Sequence, residues 1–290
     1  RPDLICLQET KVVDDDFPRD GIAALGYVHH VIHGQKSYNG VAIFSRLPLR
    51  KPQLLSWCGK EDRRHAAVLL PNGVELHNFY VPAGGDIPDP KKNDKFAHKL
   101  RFIEEMKSWS AEMKRRRRKG IMVGDLNIAP LENDVWSHKQ LLDVVSHTPV
   151  ETEGLTAVQK TGGWVDAVRH FVPPTERIYS WWSYRAADWR VSNRGRRLDH
   201  WWADKRATPL VDVDSYRIHT VPSVTPVLKF IQQHAQQDDR EAYSTLNMGA
   251  GFAIFVAAAD AQRTVEVAQA HGVNALIAGQ VETGPKELLI

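Results

Sequence analysis

The sequence predicts an α/β fold of two packed sheets with helices outside, and three observations carry that prediction. The apolar run Ile121-Met122-Val123 ends in Gly124-Asp125-Leu126-Asn127 and reads as a buried central strand. Residues Ala66–Leu70 and Val74–Val81 flank Pro71-Asn72-Gly73, a hairpin signal. Residues Lys95–Arg118 place Phe96, Leu100, Ile103, Met106 and Trp109 near helical spacing. Short mixed strands with few helices between them, running for about 200 residues, favour two sheets covered by helices.

Taken in order, Pro2–Gln8 reads as a buried strand with Glu9 directly at its end, and Tyr27–Ile32 as another. Tyr38-Asn39-Gly40 is a turn feeding the strand Val41–Ser45. The helix 95–118 closes on the basic run 114–119, where cations offset the macrodipole; that reading is preferred to a DNA-contacting patch. Two short helices are expected at Thr156–Lys160 and Trp164–Phe171, then strands at Ile178–Ser183 and Leu198–Ala203. After about Ser215 the character changes to a β-α-β run of small residues. A helix (Pro226–Ala235) precedes it, and the tail lacks tryptophan, whereas all nine lie in the first 202 residues. The expected domains are therefore 1–214 and 215–290.

Bulk numbers exclude several classes. An apolar content of 42% and a charged content of 25% are those of a soluble globular chain, and no apolar run approaches the length of a membrane span. The two cysteines, Cys6 and Cys58, are far apart, which fits a reducing cytoplasm and argues against a disulfide scaffold. A net charge of +3 is compatible with nucleic acid without requiring it. His29 and His33 share a strand face but stand roughly 13 Å apart, too far for one ion. Arg1-Pro2-Asp3 lacks an initiator Met and runs straight into a strand, so the chain is expected to begin inside a domain, and a monomer is expected.

Several polar residues sit where strands end. Asp125 and Asn127 leave the central strand on one face at period two. Together they suit a hard metal and a phosphate, while the plainer reading is an Asx turn. Glu9 at one strand end and Asp199 at another complete a set of oxygen donors suited to Mg²⁺ held partly through a substrate phosphate. For Asp199 the plainer reading is a salt bridge to Arg196 or Arg197. Tyr80 precedes a glycine-rich bend and can donate to a phosphate oxygen or leaving group, or else stand at a strand edge with a solvated hydroxyl. Trp181, Trp182 and Arg185 combine aromatics with a cation, as nucleic-acid stacking requires, although packing between sheets uses the same residues.

Six blocks, Leu7-Gln8-Glu9-Thr10-Lys11, Asn39-Gly40-Val41-Ala42-Ile43, Tyr80-Val81-Pro82, Gly124-Asp125-Leu126-Asn127, Tyr179-Ser180-Trp181 and Arg197-Leu198-Asp199-His200, resemble the exonuclease III family in order and type. These are the apurinic/apyrimidinic (AP) endonucleases of the endonuclease/exonuclease/phosphatase superfamily. The resemblance implies a four-layer α/β sandwich of two packed mixed sheets. It also implies Mg²⁺- or Mn²⁺-dependent hydrolysis of double-stranded DNA at abasic sites or 3′ ends. By resemblance Glu9 is the metal ligand, Asp125 orients or deprotonates water, and Asn127 binds the scissile phosphate. Tyr80 stands at the phosphate and leaving group, and Asp199 near the metal and the catalytic histidine. Trp181 walls the abasic-sugar pocket, and Asn39 lies in the block that contacts the DNA backbone. Arg185, Arg194 and Arg196 are expected to line the groove.

The family pattern opens with a strand bearing a metal-site Asn and closes with Ser-Asp-His, neither of which occurs here, and residue 83 is Ala where many relatives place Asn. The expectation is a domain truncated at both ends, either an enzyme or a DNA-binding remnant without turnover. A third possibility is a non-functional fusion. Residues 216–290, through Ala242-Tyr243-Ser244-Thr245-Leu246-Asn247-Met248-Gly249 and Gly279-Gln280-Val281-Glu282, resemble the C-terminal end of phosphoribosylformylglycinamidine cyclo-ligase.

Overall fold

Apolar residues repeating at period two along consecutive strands give each sheet a face to bury, and two such faces meet at the centre of the fold. The computed structural model describes residues 2–183 and 192–210, together with residues 262 and 266. The chain divides into two compact units, Arg1–Ile218 and His219–Ile290. Arg185 and the elements expected after Ser215 lie outside the described residues.

The first sheet has the order β1-β3-β2, from β1 (Leu4–Gln8), β2 (His29–His33) and β3 (Val41–Ser45). Both of its pairings are antiparallel, so among the described residues this sheet is not mixed as expected. The second sheet begins with β4 (Arg50–Gln53), β5 (His65–Leu69) and β6 (Val74–Tyr80) and continues through β7 (Lys119–Asp125) to β8 (Trp164–Asp166). A two-stranded ribbon, β9 (Trp181–Trp182) with β10 (Gly195–Arg196), leads into β11 (Asp199–Asp204), which inserts between β7 and β8. Among the described residues only β6 and β7 run parallel in this sheet, with α2 (Asp94–Arg116) as their crossover.

Val41, Ile43, Ala66, Val68, Val74, Leu76 and Tyr80 pack between the sheets, with Leu4, Cys6 and Val31 against them. Asn78 shares the inward face of β6 and rivets the two sheets, donating to the Leu7 carbonyl at 2.9 Å and the Ala42 carbonyl at 3.1 Å. The opposite face of the second sheet carries Phe79, Met122 and Trp202. They pack on Phe102, Ile103 and Met106 of α2 and on Leu155 and Val158 of α4 (Pro149–Gly162). On the outside of the first sheet, Phe17, just before α1 (Arg19–Ala24), lies against Phe44 with ring centroids 5.3 Å apart. The result is the expected four-layer α/β arrangement.

Helix α2 starts where Asn93 accepts from the Lys95 and Phe96 amides, and ends where Arg117 turns left-handed at φ 54°. Its basic end is tied down locally, Arg115 and Arg116 to Glu112 and Arg118 to Glu75. The sequence reading errs on one helix, because Trp164–Asp166 is an edge strand paired with β11 and only Ala167–Phe171, helix α5 after the single-turn α3 (His138–Leu141), is helical. The cause is Gly163, which terminates α4 at φ 69° and releases Trp164 to the sheet. The expected strand 178–183 shortens to Trp181–Trp182.

Candidate active site

The parallel pairing of β6 with β7 brings two strand ends to the same edge, with Tyr80 opposite Asp125. Antiparallel β11 starts at that edge, so Asp199 is the cross-strand partner of Asp125. Glu9 follows β1 in the facing sheet, and the Tyr80 hydroxyl donates to its Oε1 at 2.7 Å. Four of the expected residues thus meet from four strands.

Local backbone is bent to allow this. A Cβ at Gly124 would run into the Phe79 carbonyl, and its φ of 137° suits glycine alone. Glu9, Asn39 and Asn127 all adopt left-handed φ, at 54°, 53° and 53°. Such strain costs about 1–3 kcal/mol per residue and clusters at functional sites. The Asn39 carbonyl accepts from the Lys11 amide at 2.9 Å, which docks this loop beside Glu9. Asp125 Oδ1 accepts from the Asn127 backbone amide at 2.9 Å, so the Asx turn is present. Within it, the Asn127 side chain donates to the Val81 carbonyl at 2.9 Å and to Asp125 Oδ2 at 3.0 Å.

The electrostatics are uneven. Burial, and next the charge of Asp199, push the Asp125 carboxyl well above the ordinary carboxylate range, against the Asn127 amide and Lys99. Burial also raises Asp199, with Ser180 opposing, so the pair as a whole holds a proton above the ordinary carboxylate range. Burial and Glu9 raise the Tyr80 phenol, which keeps it a neutral donor. Arg64 stacks over the Tyr80 ring at 4.9 Å and pairs with Asp62 at 2.6 Å.

The salt-bridge reading of Asp199 does not hold, because both neighbouring arginines are engaged elsewhere. Arg197 turns inward to Asp134 and Asp166, each at 2.8 Å. Arg196 donates to the Val145 carbonyl at 2.9 Å and Ser146 Oγ at 2.8 Å, and its guanidinium lies 5.7 Å from the Trp181 ring. Ser180 Oγ accepts from the Leu198 and Asp199 amides, tying the Trp181 strand to the carboxylate pair. His200 points the other way, as its strand position requires, and bonds the Ile128 carbonyl at 2.8 Å.

All the donors at this edge are oxygens, and Glu9 is exposed with Oε2 turned to Lys11 at 3.9 Å. Among the described residues no three His, Cys, Asp or Glu side chains gather as a metal cage would need. One carboxylate plus substrate phosphate and water is the manner in which Mg²⁺ is commonly held, and the residues present fit that mode.

A model of the Endonuclease/Exonuclease/phosphatase family matches residues 1–223. The chain belongs to this family. It is 30% identical over 199 residues to an exodeoxyribonuclease of Bacillus subtilis, an alignment covering 68% of this chain and 75% of that protein. Its fold matches an AP endonuclease from Archaeoglobus fulgidus with a TM-score of 0.65 and 30% identity, covering 72% of this chain and 78% of that one. A 3′ phosphatase from Neisseria, solved with a product DNA hairpin, matches with a TM-score of 0.65 and 27% identity over 72% of this chain and 78% of its own.

Within this family member, Glu9, Tyr80, Asp125, Asn127 and Asp199 share one edge, and Asn39, Trp181 and Arg196 connect to it through the contacts above. Arg194 stacks over Trp136 at 4.6 Å. Sequence reading missed the buried ions behind the edge: Lys99, Glu151, Asp134 and Arg197. A signal existed for two of them. Thr148-Pro149-Val150-Glu151 is a capping-box pattern, and Lys99 interrupts the apolar stripe of α2.

Proposed function

We propose that this chain hydrolyses DNA phosphodiesters in the manner of exonuclease III and AP endonucleases, with Mg²⁺ or Mn²⁺, at abasic sites or 3′ ends of duplex DNA. The observation that carries the reading is the convergence of Glu9, Tyr80, Asp125, Asn127 and Asp199 at one sheet edge of a chain of this family. Asp125, held above the usual carboxylate range, orients a water and takes its proton as the water oxygen bonds to phosphorus. Asn127, whose amide now donates to the Val81 carbonyl and Asp125 Oδ2, would turn the second of these donors to the phosphate. Tyr80, a neutral phenol, offers its proton to the leaving or a non-bridging oxygen, where Glu9 now receives it. Glu9 would hold the metal, with water and phosphate oxygens completing the shell. When bound, the ion offsets the charge growing on the phosphoryl group. Trp181 walls the pocket for the abasic sugar, Asn39 meets the DNA backbone, and Arg196, beside Trp181, lines the groove with Arg194. We read residues 215–290 as a cyclo-ligase-like fragment with no part in this chemistry.

The test is cleavage of a duplex with one abasic site, with Mg²⁺ or with chelator, beside Asp125→Ala. Metal-dependent cutting that falls on the order of 1,000-fold in the variant is expected. An uncut duplex sinks the catalytic reading. If the uncut duplex is still bound, with affinity falling steeply as salt rises, the chain is a DNA-binding remnant instead.

A further inference from the structure

Lys99 lies fully buried on the apolar stripe of α2, and its three donors are all spent. It pairs with Glu151 Oε1 at 2.5 Å, and donates to the Asn127 carbonyl at 2.8 Å and the Ala83 carbonyl at 3.2 Å. The first carbonyl belongs to the turn after β7 and the second to the turn after β6. A Cβ on Gly84 would stand 2.9 Å from Lys99 Cδ, so the lysine stem also shapes the second turn.

Glu151, equally buried, accepts the Ser146 amide at 2.9 Å and the Thr148 hydroxyl at 2.6 Å. Ser146 has a left-handed φ of 86° and receives Arg196 on its hydroxyl. One ion pair therefore links Asn127 on one side of the edge to Arg196 and Trp181 on the other.

Stability alone does not explain a buried pair. Desolvation opposes it, and apolar side chains of similar volume often serve as well or better. What an apolar pair would lose is the hold on two loop carbonyls. We propose that Lys99, braced by Glu151, is a positioning residue that sets where Asn127 presents its amide to the phosphate. The catalytic consequence rests on the proposed function, but the placement of the Asn127 side chain does not.

The experiment uses the full chain and the variant Lys99→Met/Glu151→Gln, which removes both charges together and leaves neither buried alone. Asparagine side chains are labelled with ¹⁵N, the Asn127 amide is assigned through Asn127→Asp, and its exchange protection is compared with that of Asn78. Asn78 is held by the distant Leu7 and Ala42 carbonyls and reports the integrity of the two-sheet core. In the double variant the Asn127 amide is expected to shift and lose at least about tenfold of its protection while Asn78 is unchanged. With the abasic duplex, kcat falls about 100-fold and KM stays within about threefold.

An Asn127 amide that does not move overturns the proposal. Equal loss at Asn78 and Asn127 overturns it too, since Lys99 would then hold the whole core. Should the unaltered protein leave the duplex uncut, the proposed function fails and the amide comparison still decides the role of Lys99.

Discussion

Two groups of carboxylates, Asp134 with Asp166 and Asp125 with Asp199, behave oppositely. Asp134 is buried between Arg197 and Arg169, at 2.8 and 2.7 Å, and Asp166 shares Arg197. Burial pushes Asp134 up, but Arg197 and Arg169 overcome it and hold its carboxyl below the ordinary range. Asp125 faces Asp199 in register and is pushed well up instead. The residue type is the same and both are drawn from water. What differs is whether the nearest ion is a guanidinium or another carboxylate. The first group is a filled ion cluster that holds β10 and α5. The second keeps unspent affinity for a proton or a cation, which is what a hydrolytic site needs.

Neutralising one member of each group should separate them most clearly. Asp134→Asn leaves two buried guanidiniums under-compensated and is expected to cost about 3–5 kcal/mol, read as a lowered denaturation midpoint. Asp125→Asn relieves like-charge repulsion and should leave the chelated protein as stable as before, or more so. If both variants lose stability alike, the contrast between the groups is wrong.

Acid should sharpen the contrast. A raised carboxyl such as Asp125 contributes stability below its unfolded value of 3.8 that is lost as pH rises through its folded value. The melting advantage of Asp125→Asn over the unaltered chain should therefore grow with pH, in chelator. Asp134, being depressed, keeps its contribution above 3.8 and loses it only as pH falls below. Burial lowers His200 to about 4 and His77 to about 3, so their neutral forms support the fold above 6.5. Both are fully buried, and each should withdraw on the order of 3 kcal/mol as pH falls from 6.5 toward 4. A flat stability profile across that window would contradict their burial.

Smaller effects test the two ends of the sheet. Trp181, 36% exposed beside Arg196, should weaken abasic-duplex binding about tenfold as Trp181→Ala, with little change in melting. Glu112→Ala, at the far end of α2, releases Arg115 and Arg116 and should move neither binding nor stability measurably, since exposed pairs contribute little. A change in DNA affinity there would return the basic run to the interface.

How much of the site could be read beforehand differs residue by residue. Asp125 and Asn127 were visible because a glycine breaks an apolar run just before two polar residues at period two. Glu9 was visible as a charge directly after a buried strand. That Tyr80 would reach Glu9 was not, because the contact crosses between sheets and joins residues 71 apart in sequence. Asp134 sat in an unremarkable turn, and its partners Arg169 and Arg197 come from two later segments.

The sequence by itself determined the main core strands, the long crossover helix and which side chains leave the strand ends, since these follow from periodicity, capping and turn chemistry within a few residues. The tertiary structure alone decided which carboxylate received arginines and which received another carboxylate. That depends on register across β7 and β11 and on where Arg196 and Arg197 turn, and charge energies depend on neighbours brought together from distant parts of the chain.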